Sequence, residues 1–438
     1  MMCRESSEIG GPQEAQTPWT TALSLTKPVL DATRRPMPRW VGWLLVSLPP
    51  LSLLGTWLVG RLPVFQAIAV ILAVIAAWDW RRFFDRSRTM VTLLALSAGI
   101  IVSAIVAAII HRPPWPSMAT QSISVLGIIV LTLAMVQFYR SSQTVLTLIR
   151  GWLYAVAILA GITVYQRLTR DLPVLNGPFP SPAYLAASMV FGAMLMPIGF
   201  ALEDDRRLRW AYPVAALMAT WVVWTTHRSV AFGMCLALLL VWLATIRWLA
   251  ALVVAAVAAV AAGLARSVIR FRWTEVGMEP PLDNAVRDTL TQLAWRVLHD
   301  SYFLGVGPGG LAARWPDVIA DYRGPYSALL ELASQYGLAV TVAVICAGLG
   351  VLTWCWRRLR QTKGAPLRSP TRAVGFWLAW LIVGFPLITS LQAQWLNFPL
   401  SALGMATLAI LARDIESPQG RPMVWPATQS DQIPPPTS

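Results

Sequence analysis

The sequence predicts an all-α, polytopic membrane protein of about twelve transmembrane helices with one long exterior loop. Two observations carry this. Of 438 residues, 56% are hydrophobic and only 13% charged, with a mean hydropathy of +0.58, whereas a soluble chain carries roughly 25% charged residues. The apolar residues also fall in runs of about 20, the length that crosses a bilayer as a helix. The runs lie near 40–60, 63–80, 89–111, 118–138, 149–168, 182–202, 210–226, 229–247, 248–266, 337–356, 373–391 and 395–413. The pair covering 229–266 is joined tightly at Thr245-Ile246-Arg247 and offers no clear loop.

Outside these runs the chain divides simply. Residues 1–38 form a polar tail without the apolar core of a signal peptide. Residues 39–414 form the membrane domain. Residues 415–438, rich in Pro, Gln and Ser, have the composition of a disordered tail. The cysteines, Cys3, Cys235, Cys346 and Cys355, make no metal-like pair and no disulfide framework.

A net charge of +14 would suit nucleic acid, but the Lys and Arg residues stand in short runs between spans, which is how polytopic proteins set their orientation. One set of ends holds Arg34-Arg35-Arg39, Arg81-Arg82-Arg86-Arg88, Arg140, Arg150, Arg206-Arg207-Arg209, Arg247 and the run Arg357 to Arg372. The opposite short ends hold only Arg61, Arg112, Arg167 and Arg170. The basic side is expected to be cytoplasmic, with both termini there. His111, His227, His299, Arg228 and the loop 267–325 then face the exterior.

Three exterior features stand out. Arg228, in Trp224-Thr225-Thr226-His227-Arg228-Ser229, sits between two apolar runs. A charge at membrane depth is costly and marks a functional candidate. Two readings stay open: a side chain that snorkels to headgroups, or a planar cation that forks onto phosphate oxygens. Leu172 to Pro182 carries four prolines, which fix φ and remove donors. It is a stiff connector, or irregular backbone entering the membrane where protein or a watery cavity receives it. The loop 267–325 holds Arg270, Arg272, Arg287, Arg296, Arg314 and Arg323 among acidic residues and Trp273, Trp295 and Trp315. Within it, Asn284 to Phe303 predicts an amphipathic helix with the stripe Leu290, Leu293, Ala294, Val297 and Leu298. Gly305-Val306-Gly307-Pro308-Gly309-Gly310 follows as a turn able to offer backbone N–H groups to an anion. It lacks the Lys-Ser/Thr of a nucleotide-binding P-loop.

Together these blocks resemble the O-antigen ligase and polymerase superfamily of bacterial envelope glycan enzymes. Gly177-Pro178-Phe179-Pro180-Ser181-Pro182-Ala183-Tyr184-Leu185-Ala186 is similar to the family's Gly-x-Phe-x-Asn-Pro-Asn-x-x-Ala block, with Ser181 and Ala183 in place of the two Asn. Thr226-His227-Arg228-Ser229 resembles its Ser-Arg segment opening a span. Arg287 lies eighteen residues before Gly305-Val306-Gly307, the family's spacing from a loop Arg to a Gly-x-Gly turn. Tyr326-Ser327-Ala328-Leu329-Leu330-Glu331-Leu332, with Gly337 beyond, resembles the family's His-Ser/Asn segment, with Tyr326 at the His position.

The resemblance implies transfer of a glycan from a polyprenyl-diphosphate carrier to an exterior hydroxyl acceptor, a glycolipid or glycan, at the bacterial plasma membrane. It implies Arg228 and Arg287 as diphosphate clamps, with Arg323, Gly305, Gly307, Gly309, Phe179 and Pro182 as substrate contacts. No Asp-x-Asp-type cluster stands in the chain, so a metal-free, cofactor-free mechanism resting on permanently charged Arg is the simpler expectation. A phenol with an ordinary pKa of about 10 is a poor base at neutral pH. The base is therefore His299, Asp321 or Glu331, or Tyr326 serves only to position the acceptor. A polymerase differs from a ligase only in its acceptor. A transporter is the alternative from another class, against which stand the lack of a clear internal repeat and the scarcity of mid-span charges. A non-catalytic assembly partner is the third reading.

Overall fold

The computed structural model describes residues 88–113, 115–138, 142–169, 175, 177–179, 182–226, 229–246, 283–311, 327–361, 370–389 and 399–416, with isolated positions before 75 and at 253–257. Met1–Leu44 and Leu45–Ser438 are separate units, and all elements below belong to the second.

The architecture is helical. Eleven helices are described: α1 (Arg88–His111), α2 (Trp115–Phe138), α3 (Ser142–Thr169), α4 (Pro182–Leu202), α5 (Arg206–Thr225), α6 (Ser229–Ile246), α7 (Asp283–Asp300), α8 (Ala328–Tyr336), α9 (Leu338–Gln361), α10 (Pro370–Thr389) and α11 (Pro399–Glu416). A two-residue antiparallel ladder, β1 (Leu58–Val59) with β2 (Leu62–Pro63), pairs Leu58 with Pro63 and Val59 with Leu62. It brackets the polar break between the first two apolar runs, most of which lie outside the described residues, as do most of the run 248–266 and both tails.

Four helical segments are long and apolar enough to cross a membrane: Thr89–His111, Val145–Thr169, Pro182–Leu202 and Leu338–Arg357. Apolar segments of 10–17 residues lie in α2, α6, α10 and α11. The first of the four is the most apolar, yet only 6% of its window is buried. Val102, Ile105, Ile109 and Ile110 point outward from it. A continuous apolar face of that kind requires a non-aqueous neighbour.

Helix α4 is the opposite case, with 94% of its window inside the protein. Pro182 opens it, as suits a first-turn residue with no N–H to lose, and the polar run Glu203-Asp204-Asp205 closes it. Helices α3, α5, α6 and α10 pack around it. Small residues permit the close approach. A Cβ at Gly192 would stand 2.6 Å from Val156 of α3, and one at Gly199 would collide with Tyr212 of α5 and stand 2.7 Å from Ile149 of α3. Trp152 and Phe191 meet with ring centroids 4.9 Å apart.

At one end of this core Glu203 is 1% exposed and is held by Arg150 through two hydrogen bonds, Nη2 to Oε1 at 2.7 Å and Nε to Oε2 at 2.9 Å. The Tyr212 hydroxyl donates to Oε2 at 3.2 Å and the Asp205 N–H to Oε1 at 3.3 Å. Burial pushes the Glu203 carboxyl up. The bonds and charge of Arg150, with the two smaller donors, outweigh it and leave the group below its ordinary value. Asp205 caps α5 by accepting from the Arg207 N–H.

Candidate functional site

Two junctions between helix ends assemble the blocks singled out in the sequence. The first joins the proline-rich segment to the ends of α3 and α5. Gln166, in the last turn of α3 and 8% exposed, bonds one residue twice. Its Nε2 donates to the Gly177 carbonyl at 2.6 Å, and the Gly177 N–H donates to its Oε1 at 3.0 Å. Gly177 has φ +61°, in the left-handed region that favours glycine, and Leu185 of α4 packs against its backbone. Two residues upstream, the Leu175 N–H donates to the carbonyl of Thr225, the last residue of α5, at 3.4 Å. The hydroxyls of Thr225 and Thr226 bond back to the carbonyls of Val222 and Val223. The proline-rich block is thereby tied to the chain three residues before Arg228. Phe179 is 3% exposed, inside the protein, and Pro182 is half-buried at the head of α4.

The second junction joins the end of α7 to the break between α8 and α9. The stripe on α7 is inward: Leu290, Ala294, Val297 and Leu298 are buried and Leu293 half-buried. The helix stops at Asp300 rather than reaching Phe303. Phe303 N–H bonds the Leu298 carbonyl and Tyr302 N–H the His299 carbonyl, with Tyr302 at φ 50°. This is a Schellman stop with a tyrosine where glycine is usual. Phe303, at φ 62°, prolongs the left-handed run, and Gly305, Gly307 and Gly309 continue it in alternation at φ 77–80°.

The glycine turn is spent on the protein itself. Val306 N–H donates to the Ser334 carbonyl and Gly307 N–H to that of Gln335, both at 2.9 Å, while Gly305 N–H donates to Ser301 Oγ at 3.1 Å. In return Leu338 N–H donates to the Phe303 carbonyl at 2.9 Å. The amides of residues 305–307 are thus engaged, and the turn is a backbone junction rather than an open anion cradle at those positions. The Ser103 hydroxyl of α1 donates to the Tyr336 carbonyl, and Gly307 rests on Ala107.

Buried polar groups gather behind this junction. Glu331 is 1% exposed and its Oε1 accepts from Gln335 Nε2 at 3.3 Å. Ser301, Ser334 and Tyr336 are as deeply buried, and the Tyr336 hydroxyl has no hydrogen-bond partner among the described residues. Burial, then the Glu331 charge, pushes that phenol well up. His299 is elsewhere: its side chain is 81% exposed, 4.0 Å from Asp300 and edge-on to Phe303. Of the base candidates described, only Glu331 lies inside the junction.

Arg228, His227, Asp321, Arg323 and Tyr326 lie outside the described residues, and Arg287 is described only as a helical position of α7. Gly309 sits within the turn and is buried. Cys235 and Cys355 are buried free thiols and Cys346 an exposed one. No group of three or more His, Cys, Asp or Glu that could hold a metal is present among the described residues.

Sequence reasoning did not single out Gln166, Tyr336 or the Arg150–Glu203 pair as a bonded group. A lone Gln in an apolar run was the only visible signal for the first, since an amide buried there must find partners. The fold and site define an all-helical protein with helices suited to a membrane and two bonded junctions between helix ends. No family model matches the chain, and no curated protein matches it.

Proposed function

We propose that this protein transfers a glycan from a polyprenyl-diphosphate carrier to an exterior hydroxyl acceptor, in the manner of an O-antigen ligase, at the exterior face of the bacterial plasma membrane. Its about twelve spans leave both termini cytoplasmic and the loop 267–325 outside. The observation that carries this reading is the pairing of the four sequence blocks. Leu175, two residues before the Gly177–Pro182 block that Gln166 holds, is bonded to the end of α5 that leads to Arg228, and the Gly305–Gly309 turn is bonded to the α8–α9 segment that follows Tyr326. Residues scattered over 160 positions thus meet as two pairs of partners. The chemistry suits permanent cations: negative charge grows on the departing diphosphate, and preorganised guanidinium groups stabilise it without reorganising. Arg228 and Arg287 are the proposed clamps and Arg323 a third.

The test is the glycan profile of a strain lacking the protein. Lipid-linked glycan accumulates in the deletion strain, and wild type but not Arg228→Lys restores transfer. A change in polymer length with normal attachment indicates a polymerase. An unchanged profile, or full rescue by Arg228→Lys, overturns the proposal.

A further inference from the structure

We propose that Gln166 is a positioning residue for the Arg228 mouth: its amide holds the proline-rich turn, and the turn holds the end of α5. The inference rests on the reading of Arg228 as a diphosphate clamp. Gln166 stands in the last turn of the candidate span Val145–Thr169 and is 8% exposed. An unbonded amide there would be costly. It spends both its donor and its acceptor on the same residue, Gly177, as a neighbouring strand would. A doubly bonded contact fixes orientation as well as distance, where a single bond leaves the turn free to swivel.

Each next link is also bonded. Gly177 takes φ +61°, Leu175 donates to Thr225, and the Thr225 and Thr226 hydroxyls tighten the last turn of α5. Arg228 follows Thr226 by two residues, at most about 7–8 Å of chain. An error in the turn is therefore passed to the start of the short segment that carries Arg228. Misplacement of a clamp by about 1 Å costs on the order of 100-fold in rate.

The test has two arms, both in the full-length membrane protein. In the first, Gln166→Leu lowers glycan transfer roughly tenfold to a hundredfold with unchanged membrane insertion. The double variant Gln166→Leu with Arg228→Lys is no worse than Arg228→Lys alone, because both changes disable one clamp. In the second, Leu175→Cys with Thr225→Cys is oxidised and the linked peptides are mapped by mass spectrometry. Backbone-bonded neighbours lie within disulfide reach. The cross-link forms when residue 166 is Gln and its yield falls at least fivefold when it is Leu. Gln166→Met, closer in shape, replaces Leu if that variant does not insert. Equal cross-link yield in the two backgrounds, or losses that multiply independently in the double variant, overturns the proposal. If wild type transfers no glycan, the functional reading fails, and the cross-link arm by itself decides whether Gln166 holds the mouth.

Discussion

The two junctions solve the same problem in different ways. At the first, a side chain reaches across and holds a turn: Gln166 bonds Gly177, and among the described residues one backbone bond, Leu175 to Thr225, completes the tie. At the second, backbone meets backbone. A Cβ on Gly305 would stand 2.5 Å from the Gly337 nitrogen, and one on Gly337 would stand 2.7 Å from the Leu304 carbonyl oxygen. The first tolerates bulk beside it and depends on one amide. The second depends on the absence of two side chains. The lesson is that a glycine with positive φ is replaceable or irreplaceable according to what lies beyond its missing Cβ, not according to φ alone.

Gly305→Ala is the sharpest way to break that contrast. The added carbon meets backbone that cannot rotate away, and the expected cost is above about 3 kcal/mol. The variant should be recovered in low yield with a collapsed thermal transition in detergent. Near-normal recovery would mean that the junction is looser than the bonds indicate.

Next come the two arginines, one carried by each side of the comparison. Arg228 follows the first junction, and Arg287 stands on α7, which leads into the second. Arg228→Lys and Arg287→Ala should each lower transfer by about 10²–10³-fold with normal insertion. Equal losses indicate that both junctions serve one substrate. Loss in only one assigns the chemistry to that junction alone.

Glu203→Gln tests a buried polar group remote in sequence from both junctions. Removing the carboxylate leaves Arg150 and Tyr212 without their acceptor charge, at an expected cost of about 2 kcal/mol, lessened because the Arg150 side chain is 36% exposed. The folded carboxyl lies below its ordinary value. Its stabilisation is therefore complete above the ordinary carboxylate pKa and is lost as pH falls through the lower, folded value. A melting-temperature profile that falls on acidification in wild type but is flatter in Glu203→Gln fits this account. Parallel profiles would sink it.

The smallest effect sharpens the comparison most. Gly177→Ala meets only the flexible end of Leu185, 3.3 Å from the new carbon, so the cost is the left-handed backbone itself, about 1–2 kcal/mol. Gly177→Asn should cost less than Ala, since Asn enters that region more readily. A Gly177→Ala loss as large as that of Gly305→Ala would erase the distinction between the junctions.

Much of the fold was legible because apolar length and polar punctuation act locally. Pro182 and Glu203 bracket α4 at the boundaries read from the chain, and the runs beginning at 89 and 229 became α1 and α6. The α7 stop was misread because a C-terminal turn is recognised by glycine, and here Tyr302 adopts the positive φ. The turn after it was read as either a plain turn or one able to offer amides to an anion, and its partners, Ser334 and Gln335, lie some thirty residues away and leave no local trace. The Arg150–Glu203 pair spans 53 residues. Gln166 stood out only as a lone amide in an apolar run, and an amide side chain does not announce what it will bond.

The enclosure of α4 has a consequence for biosynthesis. A helix with so little lipid-facing surface has nowhere to rest when it first leaves the translocon. Helices α3 and α5 flank it in sequence and can join it at once, but α10 begins about 170 residues later. At about 5–20 residues per second, the face destined for α10 waits on the order of ten to thirty seconds beside lipid or another transient neighbour. The small residues Gly192 and Gly199 lie toward α3 and α5, so the early partners lock first and the late one closes over a core already formed. Nascent chains that stop before α10 should thus be the ones that membrane quality-control proteases find.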